Sequence, residues 1–219
     1  FRSLFWKAGE TMGNIMDYLK WRGDLTFSQD AFNEVDNLLL SYVAYVNLEG
    51  LSVGAGEEQV TLEELSRRFF VLHSEEELAA DKSFTRLAPY IVKMMAQSNR
   101  YRTSIISNYV NMVNPQLELQ FSAVQLDLSD GSKNFCFRGT DDNIVAWKED
   151  FNLGLGEVPA QKLASEYLNR FGVGTSPIRV SGHSKGGNLA VYAAAACKIE
   201  VQERITDVYS NDGPGFVHE

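Results

Sequence analysis

The stretch Ile178-Arg-Val-Ser-Gly-His-Ser-Lys-Gly-Gly-Asn-Leu-Ala-Val-Tyr-Ala-Ala-Ala-Ala-Cys197 decides the reading of this chain. It opens as a short β-type run, passes through a serine flanked by glycines, and continues as an alanine-rich helix former. Gly182-His183-Ser184-Lys185-Gly186 fits G-x-S-x-G, the pattern of a strand that turns at once into a helix with the serine at a strained apex. Gly182 and Gly186 remove Cβ atoms where strand and helix would collide. The turn predicts an electrostatic site as well. The backbone N–H of Lys185 and the N-terminus of the following helix point where an oxyanion would form. The competing reading is a glycine-rich strand-to-helix turn that happens to contain serine, and the strand before and helix after favour the elbow.

Upstream of the elbow, residues 121–128 alternate apolar and polar, Ser129-Asp130-Gly131-Ser132 is turn chemistry, and residues 133–137 return as a second strand, predicting a hairpin. It runs into Arg138-Gly139-Thr140-Asp141-Asp142 and a helix expected around 144–148. In that loop the Thr140 backbone N–H is a candidate for the other half of an oxyanion hole, with Gly139 permitting close approach of substrate. An ordinary loop with acidic N-cap residues is an equal reading of it in isolation. A helix starting at Pro159 precedes the elbow, and a β-type run at 205–210 follows it. From residue 121 onward the order strand, strand, helix, strand, helix, strand predicts an α/β fold with a parallel portion.

The first 115 residues read as helical. Apolar spacing over 12–29 ends at Gly23, and a wider apolar face runs from Asn33 to Val46, both helical. Thr61-Leu62-Glu63-Glu64 fits a capping box, Ser74 heads an acidic helix start, and 84–97 keeps a helical period. His73 reads as a surface or cap histidine, not a catalytic one. The resulting organisation is a helical region, 1–115, packing on or capping a core at 116–219, with one structural domain expected.

Bulk properties narrow the function. The chain has 219 residues, 44% of them hydrophobic, enough for one substantial core. A net charge of −9 argues against a nucleic-acid surface. Cys136 and Cys197 read as buried free thiols, with no spacing for a metal site, and nothing in the sequence implies an organic cofactor. No apolar run is long enough for an integral membrane span, and a cytoplasmic location is expected. Gly172-x-Gly174 precedes its strand, the wrong side for a dinucleotide-binding loop.

With these pieces placed, the chain resembles the class 3 lipase-like branch of the α/β-hydrolases, and within it an uncharacterised bacterial lipase-like family. The resemblance rests on Phe137-Arg138-Gly139-Thr140 with Trp147 and Asp150 downstream, on residues 180–190, and on Asn211-Asp212-Gly213-Pro214-Gly215-Phe216. It implies a mostly parallel sheet with flanking helices, Ser184 as nucleophile, and oxyanion donors at Thr140 and Lys185. An apolar residue is usual at the position of Lys185 in such lipases. Its ammonium favours an anionic substrate, or lowers the nucleophile's pKa, or snorkels to solvent, the preferred reading.

In such folds the acid and then the histidine follow the serine. Asp212 is the best acid available, against a plain Asn-Asp-Gly turn. The histidine is the gap, since His183 is adjacent to the serine at a strained turn and points apart from it. His218 serves only if the tail folds back, and the resemblance implies that the base and further strands lie beyond Glu219. A sheet ending early would expose an edge, which a homodimer could cover. The resemblance therefore implies a serine hydrolase of lipase or esterase type acting on a small acyl ester or lipid. The alternatives are a pseudoenzyme or acyl-binding module without a complete triad, or an acyltransferase on the same scaffold.

Overall fold

A computed structural model describes residues 13–117, 119–140 and 156–216. Within them, six strands form a single sheet: β1 (Val60–Thr61), β2 (Ile105–Asn114), β3 (Leu119–Asp127), β4 (Lys133–Phe137), β5 (Ile178–His183) and β6 (Ile205–Asn211). Their order across the sheet is the order in the chain. The pairings β1–β2, β2–β3 and β3–β4 are antiparallel, whereas β4–β5 and β5–β6 are parallel. The sheet is therefore mixed, not mostly parallel as expected. The hairpin read over 121–137 forms, with its first strand at Leu119–Asp127, but β2 extends the antiparallel half into a region expected to be helical. The fold is α/β without the mostly parallel sheet that the resemblance implied.

The helices of the first half are α1 (Ile15–Arg22), α2 (Glu34–Val43), α3 (Leu62–Leu72), α4 (Glu75–Ala80) and α5 (Ala88–Ala96). Their ends follow local chemistry. Asn14 and Asn33 close capping boxes with Asp17 and Asp36, and Gly23 ends α1. Only half of the box expected at Thr61 forms: Thr61 Oγ1 accepts from Glu64 N, while the Glu64 carboxylate turns to Arg67 and Arg68. Two guanidiniums are stronger partners than one backbone N–H. His73 is the C-cap residue of α3, stacked on Phe69 at 4.4 Å.

Two further helices, α6 (Pro159–Phe171) and α7 (Lys185–Ala196), pack on the other face of the sheet, and the short α8 (Ile199–Gln202) leads into β6. The strands' alternation sorts side chains between two cores. Val124, Leu126 and Cys136 join Leu39, Leu40, Val43 and Met95 of the first layer, whereas Phe121, Ala123, Phe135, Phe137 and Val180 join Tyr167, Leu168 and Leu189. β3 is buried along nearly its whole length because helices cover both its faces.

A buried ion pair holds the first layer together. The Asp36 carboxylate takes two bonds from Arg100, Nε at 2.7 Å and Nη2 at 2.6 Å, and both residues have 0% exposure. The hydroxyls of Tyr101 and Tyr18 also donate to Asp36. Arg100 spends its remaining donors on the carbonyls of Asp30 (2.9 Å) and Ala31 (3.0 Å), so the guanidinium is satisfied where water cannot reach it.

Candidate active site

The elbow forms where expected. β5 ends at His183, α7 begins at Lys185, and between them Ser184 takes φ 56° and ψ −131°. A non-glycine residue at that φ is strained and persists only where its surroundings enforce it. Here they do: Ser184 N–H donates to Asn211 O at 2.9 Å, and Ser184 O accepts from Gly187 N at 2.8 Å. A Cβ on Gly182 would lie 2.1 Å from Gly186 O, and one on Gly186 would lie 2.1 Å from Phe137 O. Strand, turn, helix and the neighbouring β4 thus meet backbone to backbone, and both glycines are sterically required. Ser184 is half-buried, and its Oγ makes no hydrogen bond to another described residue.

The loop after β4 reaches the serine. A Cβ on Gly139 would sit 3.2 Å from Ser184 Cβ, 2.4 Å from His183 O and 2.2 Å from the Tyr45 hydroxyl. Gly139 therefore touches the elbow, and Thr140, 5% exposed, follows directly at the candidate oxyanion position. Lys185 is the first residue of α7. Its side chain corrects the sequence reading. Lys185 is 1% exposed, and its Nζ donates to Gln120 O of β3 at 2.9 Å. Side chains at a helix start lean back toward its N-terminus, here into the end of the sheet, where a backbone carbonyl meets the ammonium before solvent does. It does not snorkel.

Asp212 follows β6 in the left-handed region, φ 53°, and is exposed. Its negative charge opposes the effect of burial on His183, whose pKa burial lowers below the ordinary 6.5. The His183 ring is engaged elsewhere than on Ser184: its Nδ1 lies 2.8 Å from the Tyr45 hydroxyl. His218, Trp147, Asp150, Asp141, Asp142 and the helix expected at 144–148 lie outside the described residues. The two cysteines are free and buried, as read, and burial pushes the Cys136 thiol up to about 12. Among the described residues no His, Cys, Asp and Glu cluster could hold a metal ion, and no helix is long and apolar enough to cross a membrane.

Residues of the first layer that the sequence reading did not single out complete the site. Asn37 of α2 and Asn211 exchange side-chain bonds, Asn37 Nδ2 to Asn211 Oδ1 at 2.9 Å, and Asn211 Nδ2 also reaches Gly182 O at 3.1 Å. Since Asn211 O holds Ser184 N–H, one amide pair ties α2 to the elbow. A signal existed: Asn37 and Ser41 are polar residues inside an otherwise apolar helix face. Beside them opens a pocket lined by Leu38, Tyr42, Tyr45, Phe84, Thr85 and His183, among others. On the opposite face Asn188 accepts from Gln161 Nε2 at 2.8 Å and donates to Pro214 O at 3.1 Å, pinning the loop after β6 to α7.

The fold and site define an α/β protein with a mixed sheet, a strained serine at a helix N-terminus and a glycine loop packed against it. Residues 95–219 match the Mbeg1-like family, a family of lipase-like proteins of unknown function described as class 3 lipase-like, and the chain belongs to it. No curated protein and no solved structure matches the chain.

Proposed function

We propose that the chain is a serine hydrolase of esterase or lipase type. The observation that carries this reading is the backbone of Ser184, held at φ 56° at the start of α7 and beside Gly139, with no hydrogen bond from its Oγ to another described residue. Strain of this kind is kept where a reactive group must be presented. Ser184 Oγ bonds to the ester carbonyl carbon and gives its proton to a base. The tetrahedral oxyanion is received by the N–H groups of Thr140 and Lys185. The alcohol leaves with the proton, and water then releases the acid from the acyl-enzyme. The base is assigned to a histidine outside the described residues, and His218 is the one this sequence holds; Asp212 is the carboxylate assigned to orient it.

One observation favours a second reading, an acyl-binding module: the described histidines His73 and His183 are committed to Phe69 and Tyr45. Treatment with a fluorophosphonate probe separates the two. Stoichiometric adduct on Ser184, located by mass spectrometry and abolished by Ser184→Ala, is expected. A folded protein that takes up no probe would sink the hydrolase reading and leave the binding module.

A further inference from the structure

The pocket beside the elbow is built by the first helical layer, not by the core that carries the serine. Leu38 and Tyr42 come from α2, Tyr45 from just beyond it, and Phe84 from the segment before α5. All four lie outside residues 95–219, the stretch that matches the family. The pocket nonetheless reaches the reacting centre through two residues. His183, one of its lining residues, is covalently next to Ser184, and the Tyr45 hydroxyl shares with Ser184 Cβ the space against Gly139.

Its chemistry and size are specific. The walls are mostly apolar, and the Ser41 hydroxyl at the margin is already committed, donating to Asn37 O at 3.0 Å and accepting from Asn211 at 3.2 Å. The cavity measures about 60 Å³. That is room for roughly four waters, or for an acyl group of a few carbons within its walls. The Phe84 wall sits on a braced turn: Ser83 N and Oγ donate to Asp81 at 2.8 and 2.9 Å, and Arg86 Nη1 bonds Ser83 O at 3.1 Å.

We propose that this pocket is the acyl site of the Ser184 reaction, and that it selects esters of short aliphatic acids over long-chain lipids. The inference rests on the hydrolase reading. The acyl chain enters between Tyr42 and Phe84, places its carbonyl over Ser184, and directs the alcohol portion away from α2. The first helical layer thus determines specificity, and the elbow supplies the chemistry.

The test is the rate of hydrolysis of p-nitrophenyl acetate, butyrate, octanoate and palmitate by the full chain, with Ser184→Ala as the blank. The kcat/KM is expected to peak at acetate or butyrate and to fall at least about tenfold by octanoate, the scale on which a pocket rejects surplus methylenes. Phe84 is 54% exposed, so Phe84→Ala leaves the fold intact and is expected to raise octanoate relative to acetate. Leu38→Trp fills the cavity and is expected to lower butyrate relative to acetate. Ser184-dependent rates that climb through octanoate to palmitate, or a chain-length profile that neither variant moves, would overturn the pocket assignment while leaving the hydrolase intact. No Ser184-dependent turnover of any ester, together with no fluorophosphonate adduct, would overturn both.

Discussion

The elbow around Ser184 and the knot around Asp36 are each held in place, by opposite means. At the elbow the fixed parts are backbone: glycines let β4, β5 and α7 approach until a single methyl group would not fit. In the knot they are side chains, with Tyr18, Arg100 and Tyr101 converging on one carboxylate from elements 18, 64 and 65 residues away in sequence. Backbone crowding dictates residue types at fixed spacing and so leaves a motif. A side-chain knot has many equivalent solutions and leaves none. The difference also divides the labour, since the knot stabilises the layer that lines the pocket and the elbow holds Ser184 in its strained backbone.

Changes in each region should break it differently. The largest stability effect belongs to the knot: Asp36→Ala strands a buried guanidinium and should destabilise by about 3–5 kcal/mol in chemical denaturation. Gly182→Ala should cost about 1–3 kcal/mol, because its methyl meets the Gly186 backbone instead of a flexible side chain. It should also abolish probe labelling of Ser184 well before the chain unfolds. If Gly182→Ala labels normally, the close packing at the elbow is not what presents the serine. Asn37→Ala, which removes the amide tie between the two regions, should cost about 1 kcal/mol and slow labelling without abolishing it. An unchanged labelling rate would show that the Asn37–Asn211 tie does not support the elbow.

The smallest effect is in pH dependence. Burial holds the His183 pKa below 6.5, so as acid is added the unfolded chain takes up its proton first. The associated stability is present above pH 6.5 and is lost as pH falls below it. Replacing His183 by Gln should flatten the dependence of melting temperature on pH in that window, and a slope that stays the same would exclude His183 as its source.

Much of this was legible in the sequence, and the exceptions have particular causes. The hairpin, α6, the elbow and β6 follow from period and turn chemistry, and Asn14, Asn33, Thr61 and Ser74 begin helices as their side chains allow. β2 was not legible. Its apolar residues, Ile105, Ile106, Tyr109, Val110, Met112 and Val113, fall at spacings that suit a helix. The alternation is broken by a bulge between Ser107 and Val110, where Asn108 takes φ 54°. An extra residue in a strand shifts every later side chain to the other face, and that phase slip imitates a helical period. Tyr167 of α6 marks the defect by donating to the Asn108 carbonyl at 2.8 Å.

At the site, Gly139 packs against Ser184, with Thr140 next in the chain. Lys185 was misjudged because its exposure depends on β3, a long way off in sequence. The pocket was invisible because Leu38 and Tyr42 read simply as core, and nothing local shows that Phe84 stands opposite them.

The unbroken strand order has a consequence for how the molecule is made. Each new strand docks on the one that left the ribosome just before it, so the sheet can grow in a single direction from β1 without any strand inserting between two earlier ones. Synthesis then lays down the antiparallel half and its helical layer first. The turn around Ser184 is bent after them, and β6, whose Asn211 carbonyl holds the Ser184 N–H, closes on it afterwards.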